Sequence, residues 1–223
     1  EYNMGTFYSP PLIHDGLILC TDAKNTKSYP GSGTTWTNLA GSTDLTLNGA
    51  TFDNTYPAIN FDGSNDDITC SSITCGTIWS QQCFFRPTNQ SSGGYGYFNT
   101  GWCAISEGGS AGGGTKLLYI FNGSAQGVSS TQFETGTWYH ITWVFNTTNS
   151  VVKVYVNGTL DKTTTITGTF NTNTYKTFSG LGYYTGNQHR LNGKLGNFMI
   201  YNRELTASEV SQNFNAQRGR FGV

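Results

Sequence analysis

Residues 61–70 read FDGSNDDITC and bring three carboxylates, Asp62, Asp66 and Asp67, into one six-residue window with Gly63 and Asn65 between them. Three chemistries suit such a cluster. Calcium takes about six to eight oxygen ligands at about 2.3–2.6 Å, and Asp62, Asn65 and Asp66 could donate some of them beside backbone carbonyls. One of the acids could be half of a catalytic pair. Or Asp, Gly and Asn are present because a tight turn needs them. The run lacks the long loop and terminal Glu of an EF-hand, and its flanks, Ile59, Phe61 and Ile68, are strand residues. The turn is the leading reading, with calcium kept as the alternative.

Other catalytic constellations are sparse. Glycoside hydrolysis needs two carboxylates facing one bond, about 5–5.5 Å apart for retention and wider for inversion. The glutamates are Glu1, Glu107, Glu134, Glu204 and Glu209, and none shares a strand pattern with an Asp two residues away; Glu204 and Glu209 fall in a predicted helix. There is no G-x-S-x-G elbow. His140 alternates between Tyr139 and Ile141 and reads as a solvent-face strand residue, while His189, in GNQHR, is the histidine placed to touch a ligand. The five cysteines (Cys20, Cys70, Cys75, Cys83, Cys103) are odd in number and form no C-x-x-C pair. Cys20, Cys83 and Cys103 lie in apolar runs and read as buried thiols, whereas Cys70 and Cys75 are close enough for a local disulfide as an alternative. The expectation is no enzyme activity, no cofactor and no metal centre.

Binding chemistry is better represented. Sugars stack apolar C–H faces on aromatic rings while polar side chains bond their hydroxyls. Tyr95, Tyr97 and Trp102 lie in or beside a glycine-rich stretch, SSGGYGYFNTGW (91–102), read as a loop where strand packing has no use for aromatics; Tyr183 and Tyr184 precede TGNQHR and His189. These six residues form the candidate carbohydrate site. A protein interface is the competing use of the same rings. Trp36, Trp79, Trp138 and Trp143 sit in strand contexts and are expected in the core.

The elements that would position these groups are strands. Short runs of Val, Ile, Thr, Tyr, Phe and Trp recur between Gly, Asn and Ser clusters, the spacing of a sandwich or barrel. Strands are predicted within 15–23, at Ala58–Phe61, and once or twice within 67–88. Between 136 and 167 the alternation of Tyr139, Ile141, Trp143 and Phe145, then of Val152, Val154 and Val156, then a run from Leu160 to Ile166, predicts a three-stranded meander turned by NTTNS and by Asn157–Gly158. Residues 191–205 read as a late strand with Leu195, Phe198 and Ile200 inward. One helix is predicted over 205–219: Thr206 and Glu209 make a capping box, Leu205 staples onto Val210, Val210 and Phe214 share a face, and Gly219 stops it.

With 223 residues, one large all-β domain is long enough for a core without staples. Charged residues are 11% of the chain, against about 25% in ordinary domains. The net charge of −1 leaves no footprint for nucleic acid, and no apolar run reaches the ~18 residues of a membrane span. EYNMGTFYSPP (1–11) has no signal-peptide pattern and, with Pro10 and Pro11 adjacent, reads as an extended arm that docks on a neighbouring subunit; residues 12–223 are read as a single domain. Reduced thiols point to folding in a cytoplasm.

FDGSNDDIT, WYHITWVFN…KVYVNGTL and LNGKLGNFMIYNRELTASEV occur in the order and spacing of laminin-G-like, concanavalin A-like domains, and the chain resembles that family over residues 12–223. The resemblance implies a two-sheet antiparallel jelly roll in which GLILCTD and GNFMIYNR pair as first and last strands. Glucanases of that architecture carry a Glu-x-Asp-x-(x)-Glu strand, which this sequence lacks. The Thr/Asn-rich, weakly charged character resembles modules on bacteriophage virion proteins. The expected function is accordingly a non-enzymatic virion structural protein at the particle surface, a capsid decoration or tail-fibre adhesin. Its expected partners are virion subunits or copies of itself, with host-surface glycans as further ligands. The alternative is a secreted bacterial carbohydrate-binding module of a larger glycan-active enzyme.

Overall fold

The computed structural model describes residues 9–88, 95–97, 103–107, 116–121, 125–167, 177–181 and 191–223, with backbone alone for 95–97, 103–107, 116–121, 125–126, 128 and 177–181. In chain order the strands are β1 (Leu17–Asp22), β2 (Thr35–Trp36), β3 (Leu45–Asn48), β4 (Thr51–Asp53), β5 (Ala58–Asp62), β6 (Asp67–Thr74), β7 (Ile78–Pro87) and β8 (Tyr95–Tyr97). They continue with β9 (Cys103–Glu107), β10 (Lys116–Phe121), β11 (Ala125–Val128), β12 (Tyr139–Asn146), β13 (Val151–Val156), β14 (Thr159–Thr165), β15 (Thr177–Leu181) and β16 (Asn192–Tyr201). A single α-helix, α1 (Ala207–Gln217), follows.

The main sheet has eight antiparallel strands in the order β14-β13-β12-β7-β16-β5-β4, with β1 also on β16. Along one edge of β16, Asn192–Leu195 pair with β5 and Asn197–Tyr201 with β1. A bulge at Gly196 lets the other edge follow β7 along its whole length. The pairing of Leu17 with Tyr201 and of Asp22 with Asn197 is the first-to-last contact that the family resemblance implies. The meander β12-β13-β14 is as predicted, and Asn157 and Gly158 turn it with φ of 50° and 78°.

The opposite layer is the ladder β15-β6-β3-β2, and β11-β10-β9-β8 form a separate four-stranded ladder whose β11 approaches β14. Leu45, Leu47, Ile68 and Ile73 of the first meet Trp79, Phe85, Ile141, Trp143 and Phe145 of the main sheet in one continuous core. Full burial of side chains such as Phe61, Phe85 and Phe145 contributes about 1.5–3 kcal/mol each relative to exposure. All four tryptophans expected in the core are buried, at 0–7% exposure.

The outer face of the main sheet is covered as well. Val210 of α1 and the segment Leu12, Ile13 and Leu17 pack with Val144, Tyr155, Met199 and Tyr201. Phe214, Phe221 and Val223 pack on Ala58, Phe84 and Trp138. Seven consecutive residues of β12 are therefore buried, whichever way they point. This corrects His140: expected on a solvent face, it is 0% exposed, with ring centroids of Phe84 and Phe214 at 4.8 and 5.7 Å.

The helix begins as the capping box requires. Thr206 Oγ1 accepts the Glu209 amide at 3.2 Å, and Glu209 Oε2 accepts the Thr206 amide at 2.8 Å. Leu205 and Val210 are both buried in one cluster, as a staple demands. The bounds differ from those predicted: Glu204 precedes the helix, and Gly219 lies inside a 3-10 turn, Arg218–Arg220, rather than marking the stop. Arg203 grips Glu209 through two bonds, of 3.0 and 2.6 Å, and holds its carboxyl down at about 2. A Thr206→Ala chain should lose about 1 kcal/mol in urea unfolding and Thr206→Ser almost none; equal midpoints for all three would show that the cap does not anchor the helix.

Candidate functional site

The acidic stretch folds as a strand-turn-strand joint. Asp66, 5% exposed, accepts the Asp62 amide at 2.9 Å, and Asp62 Oδ1 accepts the Ser64 amide at 2.7 Å around Gly63, whose φ is +77°. Asp67 accepts from Asn48 Nδ2 at 2.6 Å across the β3–β6 ladder. Among the described residues no three His, Cys, Asp or Glu side chains gather where a metal could sit.

The other described aspartates are engaged too. Asp22 takes both guanidinium nitrogens of Arg220, Asp53 pairs with Lys194, Asp15 with Arg203, and Asp44 accepts the Asn38 amide. Asp161 accepts from the amides of Ser130 and Thr131 at 2.7 and 2.9 Å and so ties that loop to β14. The described thiols Cys20, Cys70, Cys75 and Cys83 are in no disulfide, and burial raises each one's pKa, to about 11 for Cys20 and about 12 for Cys75. Such thiols are protonated near neutral pH and are poor nucleophiles.

Of the aromatic group picked out from sequence, Trp102, Tyr183, Tyr184 and His189 lie outside the described residues. Tyr95 and Tyr97 are in strand β8 and not in a loop: β8 pairs with β9 at the end of the β11-β10-β9-β8 ladder. A glycine between two tyrosines reads as a loop residue, but the Tyr-Gly-Tyr alternation also satisfies a short terminal strand.

A different aromatic position is open. The turn between β4 and β5 presents Tyr56, 46% exposed, beside a cleft of about 180 Å³ that is also lined by Lys24, Trp138, Arg220 and Phe221. Asp53 fixes this turn by accepting the Thr55 amide at 2.8 Å. Lys194, bonded to Asp53, keeps that carboxyl below its ordinary pKa. The Arg86 guanidinium stands 4.6 Å from the Tyr56 ring centroid and Lys194 Nζ 5.8 Å from it, both cation–π distances. Arg86 is aimed by its bond from Nε to the Gly136 carbonyl, 2.6 Å. The back wall is rigid: Phe221 stacks on Phe84 at 4.1 Å and meets Trp138 at 4.9 Å.

The sequence reading missed this site because it joins residues from four distant segments. The one local signal was an aromatic in the turn DNTYPA, the same signal that singled out Tyr95 and Tyr97. A second depression, of about 340 Å³, is walled mainly by apolar side chains, among them Leu12, Leu17, Cys20, Leu39 and Met199.

A family model described as concanavalin A-like lectin/glucanases superfamily matches residues 62–211. The chain belongs to that superfamily. Among solved structures, the superfamily chain is similar to domain 4 of an extracellular GH43 arabinanase from Geobacillus stearothermophilus, in complex with arabinotriose: 18% identity, TM-score 0.62, covering 88% of this chain and 97% of that one. It is also similar to Trypanosoma rangeli sialidase in complex with sialic acid, at 15% identity and a TM-score of 0.65 over 96% of this chain and 36% of that. The botulinum neurotoxin serotype D binding domain aligns at 15% identity with a TM-score of 0.66, over 92% and 53%. These likenesses concern the fold, and the chain spans about a third of the sialidase's length. No curated protein matches the sequence.

Proposed function

We propose that this superfamily member is a non-catalytic recognition module displayed on the surface of a bacteriophage particle, where it contacts neighbouring virion subunits or copies of itself and binds host-surface glycans. The observation that carries the recognition reading is the contrast between its acids and its open aromatic cleft. Every described aspartate is held by a turn amide, a cation or a side-chain amide, an arrangement for structure rather than for proton transfer. Tyr56 is presented to solvent on a rigid floor beside cations, an arrangement for stacking and hydrogen bonding. The low charge and the reduced state of the described thiols suit a protein made in a reducing cytoplasm and then packed into an assembly.

Two measurements test this reading. Mass spectrometry of purified particles is expected to find the chain at stoichiometric copy number, and its absence there would end the virion assignment. A polysaccharide-cleavage screen is expected to be blank, and turnover abolished by an Asp66→Asn substitution would end the non-catalytic one. A second reading, a carbohydrate-binding module of a larger secreted enzyme, is favoured by one finding: the arabinanase's domain 4, held with arabinotriose, is matched over nearly its entire length. A catalytic domain encoded in the same gene decides for that reading.

A further inference from the structure

The cleft at Tyr56 has a one-sided chemistry. Its polar lining comes from Lys24, Thr55, Tyr56, Trp138 and Arg220, and no lining side chain is a carboxylate or an amide. A neutral sugar offers hydroxyls that both donate and accept, and its site ordinarily supplies strong acceptors in return. This cleft supplies an ammonium, a guanidinium and an indole, all donors only, and its side-chain acceptors are the neutral hydroxyls of Thr55 and Tyr56. The carboxylates bonded to cations of the site are Asp22 and Asp53: Arg220 takes both oxygens of Asp22, at 2.8 and 2.6 Å, and Lys194 takes Asp53. Lys24, exposed at the rim, has no ion-pair partner among the described residues. Arg86 and Lys194 add two more cations around the Tyr56 ring. Four cations thus stand against two carboxylates on a chain whose overall charge is −1. The volume of about 180 Å³ corresponds to about six waters at about 30 Å³ each, room for a single sugar ring rather than for a peptide or an extended oligosaccharide.

We propose that this cleft binds the terminal residue of an acidic glycan, a pyranose bearing a carboxylate or a sulfate. The C–H face of the sugar lies on Tyr56 and its anionic group faces Lys24 and Arg220. Arg220, already oriented by its fork on Asp22 and lying over Phe221 at 5.4 Å, presents its charge without having to be ordered on binding. This inference rests on the glycan-recognition reading above and adds the class of ligand.

The whole chain should be applied to an array bearing sialylated, glucuronate-, galacturonate- and sulfate-terminated oligosaccharides beside their neutral parents. Calorimetric titration with lactose, 3′-sialyllactose and 3′-sulfolactose then separates carboxylate from sulfate. At least one acidic class is expected to bind about tenfold or more tighter than its neutral parent, with the preference shrinking as salt rises. Lys24→Glu and Tyr56→Ala, both at exposed positions with folding checked by near-UV circular dichroism, should each weaken that binding about tenfold or more. Equal affinity for acidic and neutral termini overturns the acidic-ligand inference and leaves glycan recognition standing. Acidic binding that survives both substitutions moves the site elsewhere and overturns the inference as well. A blank array overturns both together.

Discussion

A His140→Leu chain should hold its stability as pH falls from 6.5 to 4.5, whereas the parent loses roughly 2 kcal/mol over the same window. His140 is fully buried between the main sheet and α1, against the rings of Phe84 and Phe214. Its backbone amide is satisfied by Asn157 Oδ1 at 2.9 Å, but neither ring nitrogen has a partner among the described residues. An imidazolium there would be desolvated with nothing to compensate it, and burial accordingly pushes the pKa from 6.5 down to about 3. In the unfolded chain the same ring titrates near 6.5. Below that pH the unfolded state takes up a proton that the folded state refuses, so stability is complete above 6.5 and falls with acid toward 3. The carboxylate that Arg203 stabilises acts later: Glu209, held at about 2 against an ordinary 4.5, gives up its contribution only below 4.5. The interval between 6.5 and 4.5 thus isolates the histidine. Urea unfolding of both chains at three pH values across it is the measurement, and a parallel decline of the two curves would refute the account. At pH 7 the substitution should cost little, because leucine fills a similar volume and leaves no buried nitrogen.

His140 also marks where the sequence stopped being legible. The alternation Tyr139, Ile141, Trp143, Phe145 identified β12 and its inward face correctly, because the period of two belongs to the strand itself. What lies over the other face is a tertiary fact. Histidine and threonine at alternate positions look like a solvated face until a helix some 70 residues later in the chain is laid across them. The capping box and staple made that helix readable, and its Val210–Phe214 stripe showed that it must bury one side. The strand that receives the stripe could not be deduced from local pattern, since β7, β12 and β16 are consecutive neighbours in space and not in sequence.

The cleft follows the same logic. Asn157–Gly158 and Asp62–Gly63 could be read as turns because the conformation there is set by those residues themselves. Tyr56, Arg86, Lys194 and Arg220 are each unremarkable in their own segments: a turn tyrosine, two strand cations and a C-terminal arginine. Pairing β16 with both β5 and β7 is what puts Lys194 opposite Asn60 and Arg86, and the covering of Phe84 by Phe221 brings the C-terminus to the same rim. A binding site assembled by sheet order has no footprint in local spacing.

Asn213→Leu should be the most damaging substitution of the covered face, at about 3–5 kcal/mol, although it exchanges a polar core residue for an apolar one. Asn213 is 0% exposed and sits at a three-way junction. Its Oδ1 accepts the Ile13 amide at 2.9 Å, and its Nδ2 donates to the Tyr201 hydroxyl at 3.0 Å and to Gln82 Oε1 at 3.2 Å. Leucine leaves the half-buried Ile13 N–H and the buried Gln82 carbonyl without that partner, each at about 1–3 kcal/mol, while Tyr201 keeps its bond to the Ile13 carbonyl at 3.0 Å. The loss falls on the join that holds three separate pieces, residues 12–17, β7 and α1, against one another. Tyr201→Phe takes one bond from the carbonyl of half-buried Ile13 while Asn213 keeps Gln82 and the Ile13 amide, and should cost only about 1 kcal/mol. Urea unfolding at pH 7 gives the energies, and hydrogen exchange at the Ile13 amide locates them: exchange there should accelerate in Asn213→Leu far more than in Tyr201→Phe. Equal losses in the two variants, with Ile13 equally protected, would mean that apolar packing alone fastens the helix and that the polar junction is incidental.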